Sequence, residues 1–110
     1  METTSYDNFA SLDIRVGRII EAKKFARARN PSYKVAVQFG DEDIRWSSAQ
    51  ITHYDLDQLI GKQVVCVTNL PERNIAGFMS QVLILGAKDN KGDVILLSPE
   101  SEVTQGQKVF

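Results

Sequence analysis

Hydrophobic and polar residues alternate along much of this chain, and the breaks in the alternation are as informative as the runs. Leu12, Ile14 and Val16 alternate with Asp13, Arg15 and Gly17, the two-residue period of a half-buried strand. After Gly17 the phase slips: Arg18 stands where an apolar residue is due, and Ile19 and Ile20 come together. A glycine at such a slip predicts a bulge or sharp bend at Gly17, because only glycine takes the required backbone angles without a Cβ clash. A long first strand bent in its middle can pair in two directions and so help to close a small barrel. The second strand is regular, with Tyr33, Val35, Val37 and Phe39 on one side and Lys34, Ala36 and Gln38 on the other. Gly40-Asp41 then turns the chain into a third strand, Ile44 to Ala49, in which Ile44, Trp46 and Ser48 share a face.

The remaining segments are shorter. Asn8 to Leu12 reads as a helical turn leading into the first strand. Asp55 to Ile60 is the one clear helix, with Asp55 as N-cap, Leu56, Leu59 and Ile60 at helical spacing, and Gly61 just past its end. Gln63 to Leu70 is a valine-rich buried strand, Pro71 to Gly77 a loop, and Met79 to Leu85 a strand apolar enough to expect cover on both faces. Asp89-Asn90-Lys91-Gly92 is a hairpin turn, and Asp93 to Leu97 returns from it. The tail, Val103 to Phe110, ends on two apolar residues and is expected to dock rather than dangle. Short strands, tight turns and one short helix between the third and fourth strands predict an all-β fold. The type is the OB-fold, a five-stranded barrel with the helix plugging one end.

Composition narrows the class. The 110 residues predict one domain, 1–110, long enough to bury a core without disulfides or metal. The formal net charge of −1 weighs against a domain that lives mainly by gripping phosphates. Cys66, alone within Val64-Val65-Cys66-Val67, reads as a small buried hydrophobe, and one Cys with one His makes no zinc site of the usual kind. His53 stands in no nucleophile motif, and no phosphate-binding glycine loop occurs, so neither an enzyme nor a cofactor is expected. The polar start and the lack of a long apolar run predict a cytoplasmic protein with no membrane insertion.

Leu12-Asp13-Ile14-Arg15-Val16-Gly17-Arg18-Ile19, then Asn69-Leu70-Pro71, Gly77 and Ser80-Gln81, resembles the tRNA-binding OB domain appended to some aminoacyl-tRNA synthetases and to related cytokine-like proteins. Within that family, Arg45-Trp46-Ser47-Ser48-Ala49-Gln50-Ile51-Thr52, Phe78-Met79-Ser80 and the terminal Val-Phe are similar to a stand-alone bacterial chaperone group associated with protein export. The resemblance implies terminal extensions that form a homodimer. It also implies binding of unfolded or pre-secretory polypeptides and association with the export motor SecA, with no enzymatic activity. One departure stands out: Val82-Leu83 follows Ser80-Gln81 where the tRNA-binding relatives carry Gly-Met. Losing that glycine removes a close-approach position and weighs against tRNA.

Two sets of candidate residues follow. For polypeptide, the candidates are Arg45, Trp46 and Ser48 on the third strand, Asn69 and Arg73 around the Pro71 loop, and Phe78, Met79 and Ser80 after it. Trp46 could equally be core, and its ring suits a peptide side chain or a base. Met79 is adaptable enough for unlike apolar partners, or it caps the core. Asn69 can instead hold its own loop through backbone bonds. For tRNA, the alternative ligand, the candidates are Lys23, Lys24, Arg27, Arg29 and Lys34, a basic cluster that otherwise reads as a solvated loop.

Overall fold

A computed structural model describes residues 1–110. Two short helices, α1 (Tyr6–Ala10) and α2 (Leu56–Leu59), accompany strands β1 (Ile14–Lys24), β2 (Tyr33–Gly40), β3 (Asp43–Ala49), β4 (Gln63–Val67), β5 (Arg73–Ile75), β6 (Phe78–Ser80), β7 (Leu83–Ile84), β8 (Gly86–Lys88) and β9 (Val94–Leu96). Five of these form one curled sheet in the order β3-β2-β1-β4-β7, and the hairpins β5-β6 and β8-β9 stand outside it. This is the OB-type architecture that the alternation predicts, and the helical turn expected at Asn8 to Leu12 is α1, which begins two residues earlier, at Tyr6, and ends at Ala10.

β1 is the shared strand. Ile14 to Arg18 pairs with β4, and Arg18 to Lys24 pairs with β2, so one strand serves two neighbours. The register shift lies between Ile19 and Glu21, not at Gly17. Gly17 answers a different need: a Cβ there would stand 2.7 Å from Phe39 Cε1 and nearer still to Val37 Cγ1. The phase slip in the sequence reflects burial on both faces. Ile14 and Val16 are buried away from the main core, while Ile19 belongs to it. The C-terminal tail lies along the remaining edge of β1, with Gly106 N–H donating to Val16 O (2.6 Å), Val16 N–H to Gln107 O (2.9 Å) and Val109 N–H to Ile14 O (2.8 Å). The tail therefore docks by its main chain; the Phe110 side chain, expected to dock, is fully exposed.

Tyr33, Val35, Val37 and Phe39 of β2 point into a core shared with Ile19, Ile51, Leu59, Val64, Cys66, Val82 and Leu96. Leu59 of α2 plugs one end of the sheet. The Gln58 side chain accepts from Asp55 N–H at 2.8 Å, and Gly61, at φ +88°, ends the helix as expected. Burial pushes the Cys66 thiol up to about 12, which keeps it protonated and inert. The interior is filled by the protein's own side chains, so a ligand surface has to lie outside it.

The second half departs from the sequence reading in three places. β4 ends at Val67 rather than Leu70, because Thr68 turns to bond Asp13 through both N–H and Oγ1 (2.8 Å each). Pro71 to Gly77 is not a plain loop: β5 pairs with β6 across a two-residue turn, Ala76-Gly77, with φ +50° and +85°. Met79 to Leu85 is split into β6 and β7, because Val82 inserts into the core while Gln81 bonds to β3. Met79 and Leu83 are left 44% and 45% exposed, so the expected cover on both faces is absent. Asp89 to Gly92 joins β8 to β9, as its composition predicts.

Candidate ligand-binding face

The site is built on the outer side of β1, β2 and β3. On β3, Ser47 points inward, 1% exposed, with its hydroxyl donating to Val82 O at 2.8 Å. Its neighbours Trp46 and Ser48 therefore point outward. Register then fixes what stands beside them. Trp46 pairs with Ala36 and that in turn with Glu21; Ser48 pairs with Lys34 and that in turn with Lys23. The Trp46 backbone is clamped by Gln81, whose Oε1 accepts from Trp46 N–H (2.8 Å) and whose N–H donates to Trp46 O (2.7 Å).

Over this lattice sits an aromatic cluster. The Phe25 ring meets Phe78 edge-on at 5.3 Å between centroids, and Phe78 meets Trp46 at 6.2 Å and 88°. Lys34 Nζ lies 4.8 Å from the Phe25 centroid and 5.0 Å from that of Phe78, and Lys23 Nζ lies 4.9 Å from Trp46. These are cation–π distances. The structure thus joins residues from both candidate sets, Trp46 and Phe78 from one and Lys23 and Lys34 from the other, in a single feature.

Beside the cluster, through the pairings of Ser48 with Lys34 and of Ile75 with Phe78, a groove runs along the β5-β6 hairpin, lined by Ser48, Leu70, Arg73, Ile75, Ser80 and Leu83. Ser80 Oγ accepts from Ser48 N–H at 3.1 Å and ties the hairpin to β3. Cross-strand pairing of Arg73 with Ser80 and Ile75 with Phe78 puts these four on one hairpin face, and Asn74 with Met79 on the other. Met79 therefore neither caps the core nor faces the groove.

Other candidates lie elsewhere. Lys24 and Arg29 line a separate cleft with Phe25, Tyr33, Asp55 and Asp57, and Arg27 is exposed outside both. Arg45 binds both Asp43 oxygens (2.9 and 3.1 Å) and Thr68 O (3.1 Å), away from the outward face of Trp46. Asn69 holds the chain start, accepting from Asp13 N–H (2.8 Å) and donating to Ser11 O (2.9 Å). The Arg15 guanidinium, donating to both oxygens of Asp13, lowers the pKa of that carboxyl; burial opposes the shift, and a Thr68 hydrogen bond reinforces it. Val82 is 5% exposed, so most of its bulk is packed in the core and only a small remainder borders the groove. Phe25 and Ile75 are absent from the residues marked by sequence, and Gln81 enters there only within the Ser80-Gln81 motif, with no role of its own. An apolar ring set among lysines and arginines is the available signal for Phe25, and for Ile75 the only hint is its place beside motif residues.

Lys23 pairs with Glu21 at 3.7 Å, whereas Lys24, Arg27, Arg29, Lys34 and Arg73 form no ion pair. No trio of His, Cys, Asp or Glu converges as a metal site, and no helix is long and apolar enough to cross a membrane.

The site is thus a basic aromatic face on the outer side of a curled OB-type sheet. The chain belongs to the family described as "Putative tRNA binding domain", which matches residues 14–108. It is similar along its length to chaperone CsaA from Bacillus anthracis, with 40% identity and a TM-score of 0.92 over 99% of this chain and 100% of that one. CsaA from Picrophilus torridus is 43% identical, again with a TM-score of 0.92, over 98% of this chain and all of that one. Methionine–tRNA ligase from Thermococcus kodakarensis is 38% identical over 109 residues, 99% of this chain and 14% of the ligase. The chain spans about 15% of the length of the first such ligases that it matches.

Proposed function

We propose that the protein is an ATP-independent chaperone that holds unfolded or pre-secretory polypeptide segments, works as a homodimer in the cytoplasm and performs no chemistry. The observation that carries this reading is the groove between β3 and the β5-β6 hairpin. Apolar Leu70, Ile75 and Leu83 are set there beside Ser48, Ser80 and Arg73, next to the aromatic cluster. Such a surface gains affinity from apolar burial, with polar groups left for a bound backbone. End-to-end similarity to proteins called chaperones supports it. Ile95, Leu97 and the rings of Tyr6, Phe9 and Phe110, all exposed, are the apolar side chains that a second copy would cover. Association with SecA belongs to the same proposal, on the family resemblance. A holder without nucleotide acts by mass action on unfolded chains. The purified protein should therefore suppress light scattering from a denatured client at near-stoichiometric ratio; no suppression in excess refutes the reading.

A second reading, tRNA binding in trans, is favoured by Lys23 and Lys34 over the rings of Trp46, Phe78 and Phe25, since bases stack on such rings while cations meet phosphates. It requires RNA affinity that falls steeply with salt and with loss of those lysines. Undetectable RNA binding at low salt removes it.

A further inference from the structure

The ligand face is unevenly charged. Lys34 stands over Phe25 and Phe78 with no carboxylate in ion-pair range, and Arg73 lines the groove equally unpaired. Lys23, over Trp46, is offset only by exposed Glu21. An apolar side chain seated against the partly exposed rings of Trp46 and Phe78, Phe25 itself being buried, brings its sequence neighbours within reach of the cations. We propose that the surface selects polypeptide segments by the charge flanking their apolar residues. It takes an aromatic or aliphatic side chain with a carboxylate one or two residues away, and it disfavours the same side chain flanked by Lys or Arg. This rests on the polypeptide-binding reading above and names the client class for that site.

The argument combines attraction and exclusion. A flanking carboxylate meets Lys34 or Arg73, whose charges no internal partner neutralises. A flanking lysine meets like charge that cannot move far without giving up its ring contacts. The continuation of the groove through Ile75, Leu70 and Leu83 favours a side-chain ligand over a phosphate backbone, which gains nothing from aliphatic surface. The basic start of an export signal is then the wrong end to grip. Recognition falls instead on acidic, aromatic-bearing stretches further along a client.

Trp46, the only tryptophan, lies in the cluster and reports binding by its own fluorescence. Three peptides with one shared apolar core, flanked by glutamates, glutamines or lysines, are titrated at about 50 mM and about 300 mM salt. The expected order is glutamate, glutamine, lysine, with roughly tenfold between the extremes at low salt and a narrower gap at high salt. Lys34→Gln should collapse the order, and Lys34→Arg should keep it. Equal binding of the three, a preference for lysine, or an order that survives Lys34→Gln overturns this inference and leaves the chaperone reading standing. If no peptide binds, the chaperone reading falls and this inference with it. A Trp46 signal that moves only with an oligouridylate assigns the surface to RNA, and one that moves with protein concentration alone assigns it to a second copy; either overturns the proposal.

Discussion

At Gly17, β1 passes beneath the side chains of Val37 and Phe39 so closely that only hydrogen fits. Gly17→Ala forces one of two packed core residues aside. The expected cost is about 1–3 kcal/mol, read as a fall in Tm of roughly 4–15 °C; an unchanged melting curve would show that the core yields freely. The sequence marks Gly17 as special, yet for the wrong cause, because lack of space and need for a bend leave the same glycine. Asp13 is a residue of another kind, invisible to periodicity. Its carboxyl accepts from Arg15 and Thr68, and its pKa is lowered from 3.8 in the folded state. A depressed carboxyl contributes stability that is present above the unfolded value and lost as pH falls through the folded one. Wild type and Asp13→Asn should therefore differ in denaturant midpoint near neutral pH, and the difference should shrink as the solution is acidified below 3.8. A constant offset across that range contradicts the assignment.

At the scale of elements, long regular strands are legible and short ones are not. β2 matches its sequence reading in which side chains share the core, Tyr33, Val35, Val37 and Phe39, although Ala36 on the other face is buried as well. β5 and β6 have three residues each and β7 has two, too few for a period to declare itself. The hairpin turn was hidden for a chemical reason as well. Both central residues need positive φ, where Asn-Gly is the usual signature, and here the first is Ala76 at +50°. An alanine held left-handed is strained. Ala76→Asn should relieve it and raise stability by about 0.5–1 kcal/mol, measured by urea denaturation, while keeping Phe78 and Ser80 in place. A loss of stability would mean that the hairpin depends on something other than this turn.

At the scale of the whole molecule, the sheet was readable and the site only in part. Trp46, Ser48, Phe78 and Ser80 do come together, but the union of Trp46 with Lys23, Lys34 and Phe25 depends on the register shift after Ile19, which lines up Lys23 with Lys34 and so with Ser48. No local pattern encodes that offset. Arg45 and Asn69, motif residues both, serve the frame instead, through Asp43 and through Asp13 and Ser11. If the exposed apolar residues mark a twofold contact, sedimentation should return about twice the 12.3 kDa chain mass, and Leu97→Glu should halve it. A wild-type mass of one chain would refute the pairing. The C-terminal tail carries a last consequence. Residues 106–109 cover the edge of β1 opposite β4, where no strand lies along Ile14 to Val16. A protease clipping near Thr104 would uncover a raw hydrogen-bonding margin, open to any stray extended segment. A molecule proposed to keep other polypeptides from sticking together would, once frayed there, become a seed for the clumping it prevents.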